Sequence, residues 1–295
     1  MANQLLPIIF NPNSGKKYPQ NYREKIEKQI ALINQSGATC LWIELKKELS
    51  EHLKSLPWER INRLIVIGGD GTVSKTARFL FDHSLDKEIA IIPQGTANVL
   101  ASALNLPSTE KQALKLAING ASQKIDVGLL NGKWWFLICL SAGYLAETAN
   151  NTAQINKNRF GFLAYFKNIW RTSKLSLTDF NLELDGQEKE LSGNSLVVAN
   201  ALSLFKLQPR KSIDFTDGKF DIMVAKNTNS FAFILIGLAA LVCHNLPFTF
   251  KAQAKKIFIP NLQSNTSLLL DGEPLFLKGG INIEIIPQKL NVVML

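Results

Sequence analysis

The stretch Leu64-Ile65-Val66-Ile67-Gly68-Gly69-Asp70-Gly71-Thr72 is an apolar strand that runs straight into a glycine turn holding one acid. Thr72-Val73-Ser74 then opens a helical pattern. Glycines let backbone N–H groups come close to phosphates, and a helix N-terminus favours negative charge. Asp70 alone would repel a phosphate. It makes sense beside one when Mg2+ lies between them, directly or through water. The loop therefore points to a metal–nucleotide complex and phosphoryl transfer. A strand followed by Gly-Gly-Asp-Gly is also a plain tight turn, so the neighbouring segments have to decide.

Working outward, two more strands end in the same way. Leu5–Phe10 is a short apolar strand followed by the polar, basic loop Asn11-Pro12-Asn13-Ser14-Gly15-Lys16-Lys17. A helix is expected roughly from Pro19 to Gln35, with Ile26, Ile30 and Ile33 at helical spacing and Gly37 as its stop. Leu41–Leu45 reads as the next strand. Ile89–Ile92 is another, ending in Pro93-Gln94-Gly95-Thr96-Ala97-Asn98 before a helix that begins at Val99. In open α/β sheets, ligands bind beyond the carboxyl ends of the strands. Three such loops at one sheet edge form a crevice suited to a polyphosphate.

With 295 residues, 46% hydrophobic and 19% charged, the chain is long enough for two domains with cores and is not of disordered composition. Cys40, Cys139 and Cys243 are far apart in apolar surroundings, so they read as reduced core residues. His52, His83 and His244 lack metal-ligand spacing. The N-terminus reaches a strand almost at once, with no signal peptide visible, so a cytoplasmic location is expected. The longest apolar run, Phe231–Cys243, is shorter than the ~20 residues of a spanning helix. It reads as a buried helix, with shallow membrane insertion as the alternative.

The net charge of +9 suits nucleic acid or an anionic membrane. No nucleic-acid motif appears and the basic residues are scattered, which favours the membrane surface. In Lys157–Lys174, Lys167, Arg171 and Lys174 form a narrow stripe beside Phe162, Phe166, Ile169 and Trp170. Such a helix rests on lipid or packs on the second domain with a solvated basic edge.

Pro107-Ser108-Thr109-Glu110 reads as a capped helix start and Gly120 as its end. From Lys124 the pattern changes to strands: Asp126–Lys133 as strand and hairpin turn, then Trp134–Leu140. Leu182–Leu191 is a hairpin around Asp185-Gly186. Leu196–Ala199, Phe220–Ala225, Ala254–Ile259, Ser267–Leu270 and Ile281–Ile286 follow as strands. The expected domains are 1–122, α/β and nucleotide-binding, and 123–295, β-rich, with the extreme C-terminus free to pack back on the first.

Asn11-Pro12-Asn13-Ser14-Gly15, Gly68-Gly69-Asp70-Gly71-Thr72, Gly95-Thr96-Ala97-Asn98, Asp126-Val127-Gly128 and Asp271-Gly272-Glu273 together resemble the diacylglycerol kinase catalytic family, which includes relatives acting on sphingoid lipids. Order and spacing match over nearly the whole chain. The resemblance implies an α/β nucleotide domain of the NAD kinase/diacylglycerol kinase type, a β-sandwich-like second domain, and an active site between them. It implies ATP and Mg2+ as cofactors, phosphorylation of a lipid hydroxyl at the membrane periphery, and allows a homodimer.

A lipid hydroxyl has a high pKa, and a nearby carboxylate can accept its proton during transfer. Asp271 is the expected general base, with Glu273 beside it. Asp-Gly also occurs at Asp185 and Asp217, where a turn explains it. Asp70 is assigned to Mg2+–ATP. Gly68, Gly69, Gly71 and Thr72 are expected to cradle phosphate, with Gly95, Thr96 and Asn98 as a second wall and Asn11, Asn13 and Ser14 as a third. Asp126 either extends the acidic network around the metal or is an acid at a strand start. Asp214 and Asp217, in Ile213–Gly218, resemble the family loop that holds a structural Mg2+; a metal-free turn is the alternative.

Three positions depart from the family. Val99 stands where many diacylglycerol kinases have Asp, Leu145 where relatives often have Asp, and Ala199–Lys211 replaces a glycine-rich stretch with Leu202, Leu204, Phe205 and Leu207. Two other functions therefore compete: a kinase of a soluble substrate such as NAD, which shares Gly-Gly-Asp-Gly-Thr, and a catalytically silent nucleotide- or lipid-binding regulator.

Overall fold

The computed structural model describes residues 4–15, 18–33, 38–45, 49–143, 178–200, 214–225, 249–262 and 268–294. By its contacts the chain divides into two units, Met1–Ile125 with Gln288–Leu295, and Asp126–Pro287. The proposed segments Lys157–Lys174 and Phe231–Cys243, Leu145 and most of Ala199–Lys211 lie outside the described residues, as do Gly37, Cys243 and His244.

In the first unit, β1 (Leu5–Phe10), β2 (Thr39–Glu44), β3 (Arg63–Gly68) and β4 (Glu88–Pro93) form a parallel sheet in the order β2-β1-β3-β4. The end of the final strand joins β4 in parallel, with Asn291 opposite Glu88. Alternate residues of the strands face opposite ways. Ile8, Ile65, Ile67 and Ile92 pack against Ile26 and Ile30 of α1 (Tyr22–Ile33) and Leu114 of α5 (Glu110–Asn119). Ile9, Val66 and Ile91 on the other face are also buried. Each such side chain contributes about 1.5–3 kcal/mol of burial, which explains why the central strands are apolar throughout. Between them, α2 (Leu49–Lys54) and α3 (Asp70–Asp82) pack together, and α4 (Val99–Ala103) is a short helix beside α3.

Chain order runs outward from β1 to β2 and then back across β1 to β3. The switch in direction falls between β1 and β3, where α/β sheets open a crevice beyond their strand ends. The first two loops identified in the sequence leave those two strands.

The second unit is antiparallel. One sheet runs β12 (Thr249–Ala254), β11 (Phe220–Ala225), β10 (Ser195–Ala199), β7 (Cys139–Gly143), β14 (Leu268–Leu270), β15 (Glu273–Leu275). Facing it are β8 (Thr178–Leu184), β9 (Gln187–Gly193), β13 (Lys256–Leu262) and the first part of β16 (Gly279–Met294). The hairpin of β5 (Ala121–Leu130) and β6 (Trp134–Phe136) belongs with them. Phe180, Leu182, Ile257, Ile259, Ile281 and Ile283 from these strands meet Leu140, Leu196, Val198, Phe220 and Ile222 in one core. This is the sandwich-like second domain expected from the resemblance.

Several local expectations need correction. Trp134–Leu140 is not one strand: β6 and β7 lie in different sheets, and the chain breaks at Leu137-Ile138. Ala254–Ile259 is likewise divided at Lys255, between β12 and β13. The first is invisible to hydropathy because Trp134–Leu140 stays apolar while the chain passes between facing sheets; the second falls at the charged pair Lys255-Lys256. Asp126 is not at a strand start; it lies inside β5, which begins at Ala121. Helix α3 begins at Asp70, two residues before Thr72. Thr109 precedes α5, but its Oγ1 donates to Gln112 Oε1 at 2.8 Å instead of capping a backbone N–H. The final strand continues well past Ile286, to Met294.

Candidate functional site

The three loops of the first unit are fastened to one another. Asn11 N–H donates to Ile67 O at 3.1 Å, and Asn11 Nδ2 to Thr72 Oγ1 at 3.0 Å, joining the first loop to the second. Gln94 N–H donates to Gly68 O at 2.9 Å, joining the second to the third. Glycine makes the closest approaches possible. A Cβ on Gly95 would lie 2.5 Å from Gly69 Cα, and one on Gly15, at φ +58°, would lie 2.8 Å from Gln94 O. Backbone rests on backbone at both places, and no side chain fits.

These loops line an open cleft of about 530 Å3. Asn11, Asn13, Ser14, Gly69, Gly71, Thr72, Gly95 and Thr96 all contribute. A Cβ on Gly71 would meet nothing within 4 Å, so the backbone there is open to a ligand. Two other predicted residues support the cleft without lining it. Gly68 ends β3 and accepts from Gln94. Asn98, at φ +49°, accepts Gly95 N–H at 2.8 Å and donates to Gly95 O at 2.9 Å, closing the third turn.

Sequence reasoning missed Leu45, Leu49 and Lys75, which also line the cleft. Lys75 stands three and four residues beyond Thr72 and Gly71 on α3, the spacing of one helix face; that periodicity was the available signal. Leu45 and Leu49 carried none, because they follow β2 and become neighbours of the other loops only through the sheet order.

Asp70 opens α3 and turns its carboxylate to α4. Oδ2 accepts Val99 N–H and Oδ1 accepts Leu100 N–H, both at 3.0 Å. An ionised carboxylate is well placed at the N-terminal end of a helix. It offers about four lone-pair directions, so these two bonds leave each oxygen able to meet a water. The cradle thus fits a polyphosphate; Asp70, like Gly68 and Asn98, does not line the cleft, its carboxylate being turned to the start of α4.

In the second unit, Asp271 occupies the β14–β15 turn at φ +50°. Its Oδ2 accepts Leu137 N–H at 2.9 Å; its Oδ1 accepts Ile138 and Cys139 N–H at 2.8 and 3.2 Å. The break between β6 and β7 is where these donors become available. Burial, and then the Asp271 charge, push the Cys139 thiol up to about 12. Glu273 begins β15, two residues beyond Asp271.

Asp126 is 1% exposed. Its backbone N–H donates to Phe215 O and its Oδ2 accepts Gly218 N–H, both at 2.8 Å, so it holds the Asp214–Gly218 loop. Asp214 Oδ1 accepts from Thr216 N and Oγ1, and Asp217 Oδ1 from Lys219 N. The structure thus brings Asp126 to the loop of Asp214 and Asp217. Among the described residues, no group of three or more His, Cys, Asp or Glu side chains is arranged to hold a metal. Among them, too, no helix is long and apolar enough to cross a membrane.

The comparisons with known proteins agree with this architecture. Residues 6–130 match the family described as "Diacylglycerol kinase catalytic domain". The chain is 28% identical over 277 residues to the diacylglycerol kinase of Bacillus subtilis (strain 168), covering 90% of this chain and 88% of that one. It is 28% identical over 228 residues to the diacylglycerol kinase of Staphylococcus carnosus (strain TM300), covering 75% and 72%. In fold it is similar to the crystal structure of a diacylglycerol kinase from Bacillus anthracis str. Sterne, with a TM-score of 0.77 at 23% identity over 100% of this chain and 98% of that one. With its loops fastened at the switch point of the sheet, the chain matches the diacylglycerol kinase catalytic domain over residues 6–130 and is similar to diacylglycerol kinases along most of its length.

Proposed function

We propose that the protein transfers the γ-phosphate of ATP to a hydroxyl of a diacylglycerol-like or sphingoid lipid. The observation that carries this reading is the cleft in which Gly15, Gly69 and Gly95 pack backbone to backbone beside the open backbone of Gly71. The names of the relatives supply the lipid class. Backbone N–H groups from the three loops hold the phosphates, and Lys75 adds a positive charge. Leu45 and Leu49 form an apolar wall for the base. Mg2+, when bound, would supply charge neutralisation on the phosphates, and Asp70 would be the residue that holds it. Asp271 accepts the proton of the lipid hydroxyl; its N–H donors orient the carboxylate while lowering its basicity. Glu273 supports it electrostatically. Asp126 holds the Asp214–Asp217 loop as a metal-free turn. The net charge of +9 draws the protein to an anionic membrane surface, where its lipid resides.

The test is transfer from γ-labelled ATP with Mg2+ to diacylglycerol, monoacylglycerol, phosphatidylglycerol, ceramide and sphingosine in mixed micelles, with NAD offered separately. Labelled lipid that disappears in Asp70→Ala and Asp271→Asn supports the reading. Labelled NAD without lipid, or ATP binding with no labelled acceptor, overturns it. Sedimentation of the protein alone tests for a homodimer.

A further inference from the structure

Gln94 stands where the three phosphate loops meet. It is 4% exposed. Its N–H reaches Gly68 O at 2.9 Å, and its carbonyl oxygen is the atom against which Gly15 packs. It directly precedes Gly95, whose backbone touches Gly69. Only its side chain leaves this junction. Gln94 Nε2 donates to Glu110 Oε2 at 3.1 Å, and the same oxygen accepts Tyr22 OH at 2.8 Å.

The other side of the network reaches the first loop. Tyr22 and Tyr18 pack with ring centroids 4.6 Å apart, and Phe10, the residue before that loop, lies against both. Tyr18 OH stands 3.0 Å from Ser14 Oγ, which itself donates to Asn11 O at 2.7 Å. Glu110 is the first residue of α5, so its charge sits at a favourable helix end. Burial, then the Glu110 hydrogen bond, push the Tyr22 phenol up, so its hydroxyl stays a donor.

We infer that Glu110 is a positioning residue for the nucleotide site: through Gln94 it sets the third loop, and through Tyr22 and Tyr18 it sets the first. It touches no phosphate itself. α5 holds one carboxylate, which braces from outside two loops that meet at Gly15 and Gln94 O. Small displacements of groups that bind a reacting phosphate cost large factors in rate and affinity. The inference rests on the reading of the cleft as a nucleotide site.

The experiment measures binding of Mg2+–ATP by calorimetry without lipid, and KM for ATP and for lipid in mixed micelles. Glu110→Ala is expected to weaken ATP binding and raise its KM about tenfold or more, leaving the lipid KM within twofold. Glu110→Gln, which keeps the shape and an acceptor oxygen, is expected to fall between. Arg63→Lys, at the opposite end of β3, is the control for a general loss of stability: its Tm falls while ATP binding stays. ATP binding of Glu110→Gln and Glu110→Ala equal to wild type, or an equal loss in Arg63→Lys, overturns the inference. Wild-type binding of ATP with no lipid phosphorylated overturns the kinase reading and leaves the positioning role to the binding data. Wild-type failure to bind ATP overturns both.

Discussion

Asp271 and Asp185 hold the same position in two separate hairpins of the second unit. Asp271-Gly272 turns at φ +50° and +82°, Asp185-Gly186 at +49° and +85°. Each aspartate donates its backbone N–H to the first residue of a strand leaving a sheet break: Asp271 to Cys139 O, Asp185 to Lys256 O. Each carboxylate then accepts the N–H groups at that break, Leu137 to Cys139 for Asp271 and Lys255 and Lys256 for Asp185. A chain that moves between facing sheets leaves N–H groups without ladder partners, and burying them unpaired costs about 1–3 kcal/mol each. Asn131 makes a related clamp with an amide, accepting Asn282 N–H at 2.7 Å.

That duplication provides a control for the proposed role of Asp271 as general base. Asp271→Asn and Asp185→Asn both keep a carbonyl acceptor, as Asn131 does, and are expected to lose about 1 kcal/mol of stability each. Only Asp271→Asn is expected to lose lipid phosphorylation, by roughly 10²–10⁴-fold. Urea melts paired with kinase assays check this. Equal activity in the two variants would make Asp271 a clamp alone.

Two glycines of the cleft should respond differently. Gly95→Ala places a Cβ 2.5 Å from Gly69 Cα, so both Tm and ATP binding are expected to fall. Gly71→Ala meets no atom within 4 Å and sits in the first turn of α3. Alanine there favours the helix by up to about 1 kcal/mol. Its Tm is expected to hold or rise while ATP binding weakens. Differential scanning calorimetry and isothermal titration separate the two effects.

Arg63 fastens the C-terminal end of α5. Its Nε donates to Glu88 Oε2 at 2.7 Å, and its Nη atoms to Ala117, Ile118 and Gly120 carbonyls at 2.9–3.0 Å. Those carbonyls have no partner within the helix. Arg63→Ala is expected to cost about 1–3 kcal/mol, since it strips the helix-end carbonyls of their donors and leaves the partly exposed Glu88 with Ser122 Oγ as its donor. Lysine cannot reproduce the fork. Chemical denaturation gives the value.

The tyrosines under the first loop predict an alkaline limb. Burial pushes the phenols of Tyr18 and Tyr22 up from their ordinary value of 10.0. Above that pH the unfolded chain releases protons that the folded one keeps. Their contribution to stability is therefore complete below pH 10 and is lost as pH rises further. Tyr22→Phe is expected to flatten the fall in Tm above pH 10.

The strand that ends in Gly68-Gly69-Asp70-Gly71 and the helix after it were legible because period, glycine and charge are local signals. The three loops that line the cleft followed for the same reason. Asp70 was legible as the acid of the glycine turn but not as the acceptor of Val99 and Leu100 N–H, because α4 reaches it only through the packing of β3 beside β4. The division of Trp134–Leu140 was illegible, since both halves are apolar and only the facing sheets distinguish them; in Ala254–Ile259 the pair Lys255-Lys256 marks the break.

The sequence alone determined which segments extend, which coil and where the chain turns, because these depend on side-chain period and on the steric freedom of single residues. The tertiary structure decided which distant groups meet. Gln94 and Glu110, Asp70 and Val99, Asp271 and Leu137 are joined by hydrogen bonds whose partners no local pattern announces. A polar group buried by folding takes the donor or acceptor that the packed sheets bring to it, and that choice is made only when the whole unit closes.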